Sequence, residues 1–290
     1  MSNYFFRNKI HLSLLSALGV CTWSTFFDLA INPWAVLVVF LLTLSIYQYN
    51  RLTDDIEDAA NETENLADAH RHEFLIKYVL FYFLSALCLV IAVFFGLNAF
   101  LITLFTQAVG FFYNQKCFPD WLSVRLGGAR RLKDLYIIKN LTPPLDWATA
   151  MILLPLVFAG GKDFSPKVWI CWGYTFTCAF FIEVMWDIRD RKGDLLSGIK
   201  TIANTLSLYK TKVFLILTSS LSGGMLCYAA YLDLVPKSAY FLLSNNIAVM
   251  FIAGSYKEEA FGAMRTLSDM TIVLAMLLFI SFGLVAYFAH

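Results

Sequence analysis

The sequence predicts an all-α integral membrane protein, a bundle of about nine transmembrane helices forming a single domain over residues 1–290. Three observations predict it. Apolar residues make up 59% of the chain and charged residues 15%, against roughly 45–50% and 25% in ordinary soluble domains. The charges come in blocks, separated by apolar runs of about 18–22 residues, the length a helix needs to cross a hydrocarbon core. Threading these runs alternately through a membrane puts 19 of the 22 Lys and Arg residues on one face.

The candidate spans are 10–31, 34–52, 74–94, 97–114, 144–160, 167–187, 212–232, 238–255 and 268–288. Asn32-Pro33, Leu97-Asn98 and Gly160-Gly161-Lys162-Asp163 break the first three pairs, and Pro236 sits between the seventh and eighth spans. Connections this short make antiparallel hairpins. The longer connections, 51–77, 115–140, 188–212 and 256–267, share a face with residues 1–9, and only Lys162, Lys167 and Lys237 fall opposite. Such a bias places the N-terminus and the long loops on the cytoplasmic side. The opening, with Arg7 and Lys9 before an apolar stretch, resembles a signal peptide. Val20 before Cys21 is too large for a lipoprotein cleavage site, so the segment reads as a retained first helix. Five cysteines lie inside apolar runs and Cys117 in a basic loop, without CxxC or Cys/His ligand spacing. They read as small buried hydrophobes.

Two carboxylate clusters carry the chemistry. At the end of the second span, Asn50, Asp54 and Asp58 follow i, i+4, i+8; at the end of the sixth, Asp187, Asp190 and Asp194 follow i, i+3, i+7. Each set shares one helix face. Like charges at that spacing cost a helix about a few tenths of a kcal/mol per pair, and a bound cation is the natural compensation. A solvated acidic rim competes as an explanation for either cluster alone. It weakens for two clusters on the same side and at the same depth.

Mg²⁺ takes oxygen ligands and usually binds through one or two carboxylates together with substrate phosphates. Two or three such ions, carrying about +4 to +6, would neutralise both the aspartates and a diphosphate of charge about −3. The loop before the fifth span adds Arg130, Arg131, Lys133, Lys139 and Asn140. Arg forks and Lys point charges suit phosphate oxygens, and Lys133 and Lys139 are the favoured pair. An ordinary positive-inside loop is the plainer reading of each base taken singly. Arg189, Arg191 and Lys192, interleaved with the second cluster, are candidates for neutralising it instead.

With these residues in place, the chain resembles the UbiA-type superfamily of intramembrane prenyltransferases. Asn50, Asp54 and Asp58 look like its NxxxDxxxD signature, and Asp187, Asp190 and Asp194 like its DxxDxxxD signature. Gly198-Ile-Lys200-Thr201-Ile202 is similar to the G-x-[KR]-T continuation, and Tyr113, Lys133 and Lys139 resemble the Tyr and Lys that follow the fourth helix. The resemblance covers about residues 40–210. It implies a central cavity under cytoplasmic cap loops and Mg²⁺ held by Asp54, Asp58, Asp187, Asp190 and Asp194. Asn50, Tyr113, Arg131, Lys133, Lys139 and Lys200 would bind the diphosphate. The implied reaction, with Asp54, Asp58, Asp187 and Asp190 as its catalytic aspartates, moves an isoprenyl group from its diphosphate to a lipophilic or aromatic acceptor within the lipid bilayer. No nucleic-acid partner is expected.

The acidic segment after Asp58, the long loop after Tyr113 and the missing Arg-Pro opening depart from the family pattern and leave the acceptor open. A cyclase, in which the prenyl chain's own double bonds capture the cation, shares the same motifs. A secondary transporter is a more distant alternative, suggested by Glu183 one turn inside Asp187. Transporter sites, however, lie near the bilayer midplane rather than at the rim.

Overall fold

The computed structural model describes residues 9–53, 70–161, 164–196, 198–257 and 261–289, and their regular structure is entirely helical. Helix α1 spans Ile10–Phe26, α2 Pro33–Thr53, α3 His70–Val93 and α4 Leu97–Asn114. A short α5, Asp120–Arg125, and a 3₁₀ turn, Leu132–Asp134, lie in the following loop. Helix α6 starts as Ile138–Ala148, passes through a π-helical segment at Thr149–Leu153 and ends as Leu154–Phe158. Helix α7 is Pro166–Leu196, followed by a single turn, α8, at Ile202–Thr205. Then come α9, Leu208–Tyr231; α10, Leu243–Ser255, entered by a 3₁₀ turn at Lys237–Leu242; and α11, Phe261–Ala289.

Among the described residues seven helices, α2, α3, α6, α7, α9, α10 and α11, are long and apolar enough to cross a membrane. Outside that set are α1, with 17 residues, and α4, which carries Asn98, Gln107 and Asn114. The helices also overrun the apolar segments read from the sequence. Helix α6 begins at residue 138 rather than 144, and α7 continues to 196 rather than 187. Apolar content marks only the part inside hydrocarbon, whereas backbone hydrogen bonding carries the helix on into polar surroundings. As a result Asp187, Asp190 and Asp194 stand on one uninterrupted helix.

Short hairpins set the order of packing. Asn32 accepts from the Trp34 backbone N–H at 2.9 Å and precedes Pro33, an N-cap with proline in the first position. Its amide also donates to the Phe158 carbonyl, tying this turn to the end of α6. Lys167 donates to the Phe26 carbonyl at 2.9 Å and lies over the Phe26 ring, closing the C-terminus of α1. Trp23 and Phe26 of α1 pack with Phe282 of α11, while Val38, Val39 and Leu42 of α2 pack with Cys88 of α3 and Leu154 of α6. Phe94, Phe251 and Phe288 instead point outward and are strongly exposed, as on a surface made for lipid.

Lipid gives no hydrophobic drive between helices, so buried polar contacts and close packing hold such bundles together. Thr43 donates to Ser16, joining α2 to α1, and Gln107 to the Ser85 carbonyl, joining α4 to α3. The densest node is Asn246 of α10. It donates to the Ser219 carbonyl of α9 at 2.9 Å and accepts from the Tyr174 hydroxyl of α7 at 3.0 Å. Asn246→Ala should therefore lower the melting temperature in detergent, by an amount corresponding to about 1–2 kcal/mol. A melting curve unchanged from wild type would show that this node does not hold α7, α9 and α10 together.

Candidate active site

The site forms where the rim ends of α2, α4, α6 and α7 converge. Tyr49 packs on Phe81 of α3 and Phe111 of α4, with ring centroids 4.5 and 5.3 Å away, and those two rings also stack on each other at 6.1 Å. The Tyr49 hydroxyl donates to Gln115. This clamp fixes the end of α2, where the next residue, Asn50, accepts a hydrogen bond from Asn114 of α4. Asp54 and Asp58 follow and lie outside the described residues.

The start of α6 is shaped by Pro143 and Pro144. Neither has an N–H, so the carbonyls of Lys139 and Asn140 lose their i+4 partners. The Tyr113 hydroxyl donates to the Lys139 carbonyl at 3.3 Å. The first turn of α6 then presents Lys139 and Asn140 to α7. The Lys139 ammonium donates to Asp187 Oδ1 at 3.0 Å and to both Asp194 oxygens at 3.1 and 3.0 Å, and Asn140 donates to Asp187 Oδ2. Asp187 and Asp194, one turn apart twice over on the same face, thus share one cation. Asp190 is held differently, by a two-pronged pair with Arg189 at 2.8 and 2.6 Å. The Arg189 guanidinium also lies 5.6 Å from the Trp186 ring centroid.

Lys133 reaches the site from the 3₁₀ turn. Asp134 accepts from the backbone N–H groups of Arg130 and Arg131, and from the Arg131 side chain, all at 2.9 Å. Burial opposes its charge, but the Arg131 bond and the backbone donors hold its carboxyl below the usual range. The locked turn directs Lys133 inward, where it is 2% exposed.

These residues surround a cleft lined by Asn50, Tyr113, Lys133, Lys139, Asp187, Asp190 and Asp194 together with deeper apolar side chains. Two residues expected at the diphosphate stand elsewhere. Arg131 faces Asp134 in the loop, and Lys200 is exposed beyond the Gly198 turn; neither lines the cleft.

A model of the UbiA prenyltransferase family matches residues 12–268. The chain belongs to that family. At 21% identity over 239 residues, 77% of this chain and 76% of its relative, it is similar to an uncharacterised protein of Archaeoglobus fulgidus. Its fold is that of a UbiA homologue from the same organism solved with GPP and Mg²⁺, with a TM-score of 0.72, 15% identity and coverage of 98% and 99% of the two chains. The apo UbiA homologue of Aeropyrum pernix K1 gives a TM-score of 0.71 at 12% identity, covering 93% and 96%.

The donor chemistry fits the divalent cation that UbiA members suggest. Asp187, Asp190 and Asp194 offer only oxygen, as Mg²⁺ prefers, and a cation, the Lys139 ammonium, already bridges two of them. Among the described residues no three carboxylate, His or Cys side chains converge closely enough to hold an ion alone. The described half of the site therefore needs the phosphate oxygens or the first cluster to complete a coordination shell. Sequence spacing did not reveal the Lys139 bridge or the carboxyl of Asp146, which lines the cleft deeper on α6. An acid beside Pro143-Pro144 within an apolar span was the available signal for the latter.

Two outcomes follow from this geometry. Lys139→Met leaves two buried carboxylates without their shared counter-charge, which should destabilise the metal-free protein by on the order of 3 kcal/mol. Mg²⁺ should recover more of its melting temperature than it adds to the wild type; equal Mg²⁺ shifts in both would refute the shared-cation arrangement. The second concerns Asp194, which lies beyond the membrane-spanning part of α7. Burial pushes its carboxyl up to about 6, with Lys139 opposing and Asp187 adding to the rise. The folded metal-free protein then binds a proton that the unfolded chain, with the ordinary value of 3.8, has released. Asp194 therefore lowers stability as pH rises from about 4 to about 6. Comparing melting temperatures across that range, Asp194→Asn should lack this fall, and a profile parallel to wild type would contradict it.

Proposed function

We propose that the cleft binds an isoprenyl diphosphate with Mg²⁺ and that the protein transfers the prenyl group to a lipophilic acceptor within the lipid bilayer. The observation that carries this reading is the meeting of three aspartates with buried Lys133 and part-buried Lys139 in one cleft. That cleft also shares Trp147, Glu183 and Trp186 with an apolar chamber lined by α1, α6, α7, α10 and α11. A molecule with an anionic head and a long apolar tail suits such a pair of spaces. The Archaeoglobus fulgidus homologue solved with GPP and Mg²⁺ has a molecule of that kind bound. The Lys and Arg bias supports a cytoplasmic position for the N-terminus and the aspartate loops.

Each residue group then has a task. Asp54, Asp58, Asp187, Asp190 and Asp194 hold the metal, and Asn50 and Tyr113 fix the helix ends that carry it. Mg²⁺ held there would supply the positive charge that offsets the phosphate oxygens and steadies a departing diphosphate. Lys133 and Lys139 meet the phosphate oxygens as point charges, and Lys139 must leave part of its bond to Asp187 and Asp194 to do so. The surrounding apolar walls keep water from the developing prenyl cation. Arg131 acts through Asp134 on the turn that directs Lys133.

Diphosphate release from geranyl diphosphate tests the reading. It should vanish on chelation and return with Mg²⁺. Asp54→Asn, Asp58→Asn, Asp187→Asn and Asp190→Asn should each cost about 10²–10³ in kcat. A pair drawn from the two clusters should cost much less than the product of its members, since both serve one assembly. Near wild-type turnover in Asp54→Asn and Asp187→Asn would reduce the clusters to a solvated acidic rim. If turnover yields only cyclised hydrocarbon whatever acceptor is supplied, the chain is a cyclase of the same fold.

A further inference from the structure

The long loop after Tyr113 departs from the family pattern, and the prenyl-transfer reading gives its extra residues no task. The chain leaves α4 at Asn114 and enters α6 at Ile138, with the short helix α5 between them. Backbone hydrogen bonds define both ends of α5. The Pro119 carbonyl accepts from the Leu122 and Ser123 N–H groups at 3.0 and 2.9 Å. Gly127 and Gly128 then turn the chain with φ of +69° and +95°, where glycine is favoured, and the Gly128 N–H returns to the Ser123 carbonyl at 2.8 Å.

With its ends fixed, α5 turns one face outward. Trp121, Val124 and Arg125 follow i, i+3, i+4 and are exposed, whereas Ser123 on the opposite side of the turn is buried. Trp121 and Val124 are 65% and 79% exposed. A single surface hydrophobe needs no explanation, but here the apolar pair makes up most of the face. The Arg125 guanidinium lies 6.0 Å from the Trp121 ring centroid. Side chains of this kind, with an apolar body and a polar tip, are at home where hydrocarbon meets water. Phe112 before the insertion and Ile137, Ile138 and Leu141 after it are exposed as well. The insertion therefore hangs between two helix ends whose outward side chains are apolar.

Charge points the same way. Residues 116–131 hold four bases, Lys116, Arg125, Arg130 and Arg131, against one acid, Asp120. Arg130 pairs with Asp120 at 2.7 Å and Arg131 with Asp134 at 2.8 Å, so the excess positive charge falls to Lys116 and Arg125. In the orientation proposed above this side faces the cytoplasmic leaflet, whose anionic lipids attract such bases.

We propose that α5 is an interfacial anchor: Trp121 and Val124 sit among the headgroups of the leaflet on the aspartate side, and Lys116 and Arg125 bind the phosphates of anionic lipid there. A helix of under two turns buries too little apolar area to hold a bilayer firmly by itself. Its tethers to α4 and α6 keep it at the surface, so weak affinity suffices. The Cys117 and Phe118 N–H groups donate to the Arg130 carbonyl at 3.0 and 3.1 Å, and the Arg130 N–H to Asp134 at 2.9 Å. The seated helix is thereby fastened to the turn that directs Lys133. The anchor stands or falls independently of what the cleft binds.

Depth in the bilayer is the quantity to measure. Full-length protein carrying Val124→Cys and Cys117→Ser is labelled with an environment-sensitive fluorophore and reconstituted into vesicles of phosphatidylcholine, with or without phosphatidylglycerol. Cys117→Ser alone supplies the background from the remaining cysteines. Quenching is compared for iodide on both sides of the membrane, a lipid spin label at the top of the acyl chain, and one near its end. The upper spin label should quench most and iodide least, and phosphatidylglycerol should strengthen that pattern. Each base near an anionic surface is worth about fivefold in the ratio of seated to unseated α5. Arg125→Glu should therefore lower that ratio by about fivefold or more in the mixed vesicles and by much less in phosphatidylcholine, whereas Trp121→Ser should lower it in both. Strongest quenching by iodide would overturn the proposal by placing α5 in water, and strongest quenching by the deep label would do so by placing it in hydrocarbon. Quenching by none of the three would mean that protein, such as a second copy of the chain, covers the face, which also overturns it. So does an equal effect of Arg125→Glu in the two lipids.

Discussion

Negative charge inside a membrane bundle has to be matched where it stands, because hydrocarbon offers neither water nor mobile counter-ions. The Lys139 ammonium between Asp187 and Asp194 is the clearest instance, and much of the site is built to put it there. Helix α7 must run unbroken past the apolar zone to align the two carboxylates. Helix α6 must begin close enough for its first turn to reach them. Tyr113 must take the carbonyl that Pro143 leaves without a partner. Arg189 gives Asp190 its own cation, while Asp187 and Asp194 share one, so three carboxylates face two paired cations. The negative charge left over suits a divalent metal, which brings more positive charge than the ammonium it would displace.

The two ends of the site differ in what the linear pattern could reveal. Regular i, i+3, i+4 spacing is a property of one helix, so the shared face of Asp187, Asp190 and Asp194 was readable before any fold was known. Lys133 and Lys139 were readable only as phosphate candidates within a basic loop facing the acids. Partner choice was not readable. Arg131 and Lys133 are two residues apart and chemically alike, yet a capping interaction with Asp134 turns one into the loop and the other into the cleft. Such a switch depends on three-dimensional turn geometry that composition does not encode. The helices run past the apolar spans for a related reason: hydropathy reports depth in the membrane, and α7 keeps its hydrogen bonding well past that depth. Asp146 was passed over because an isolated acid within a span carries no periodic signal, and only the packed bundle shows which way its rotation faces.

The π-helical stretch Thr149–Leu153 completes the picture of α6. Such segments shift the register of a helix by part of a turn and recur near functional sites. Above it, α6 serves the cleft through Lys139, Asn140 and Asp146; within it, Met151 lines the apolar chamber and Ala150 the cleft. Trp147, just before it, lines both spaces, so α6 contributes to each of them.

The consecutive prolines Pro143 and Pro144 have a consequence for how this site is dissected. They leave main-chain carbonyls at Lys139 and Asn140 without the i+4 N–H groups that would ordinarily engage them, and Tyr113 binds the first. Acceptor capacity at the heart of the site is therefore supplied by atoms that every residue possesses. Replacing Lys139 or Asn140 one side chain at a time leaves those oxygens where they are. An alanine scan would record the loss of an ammonium or an amide and miss the backbone contribution entirely, whereas exchanging Pro143 for a residue with an N–H would alter it without touching any group that the scan counts.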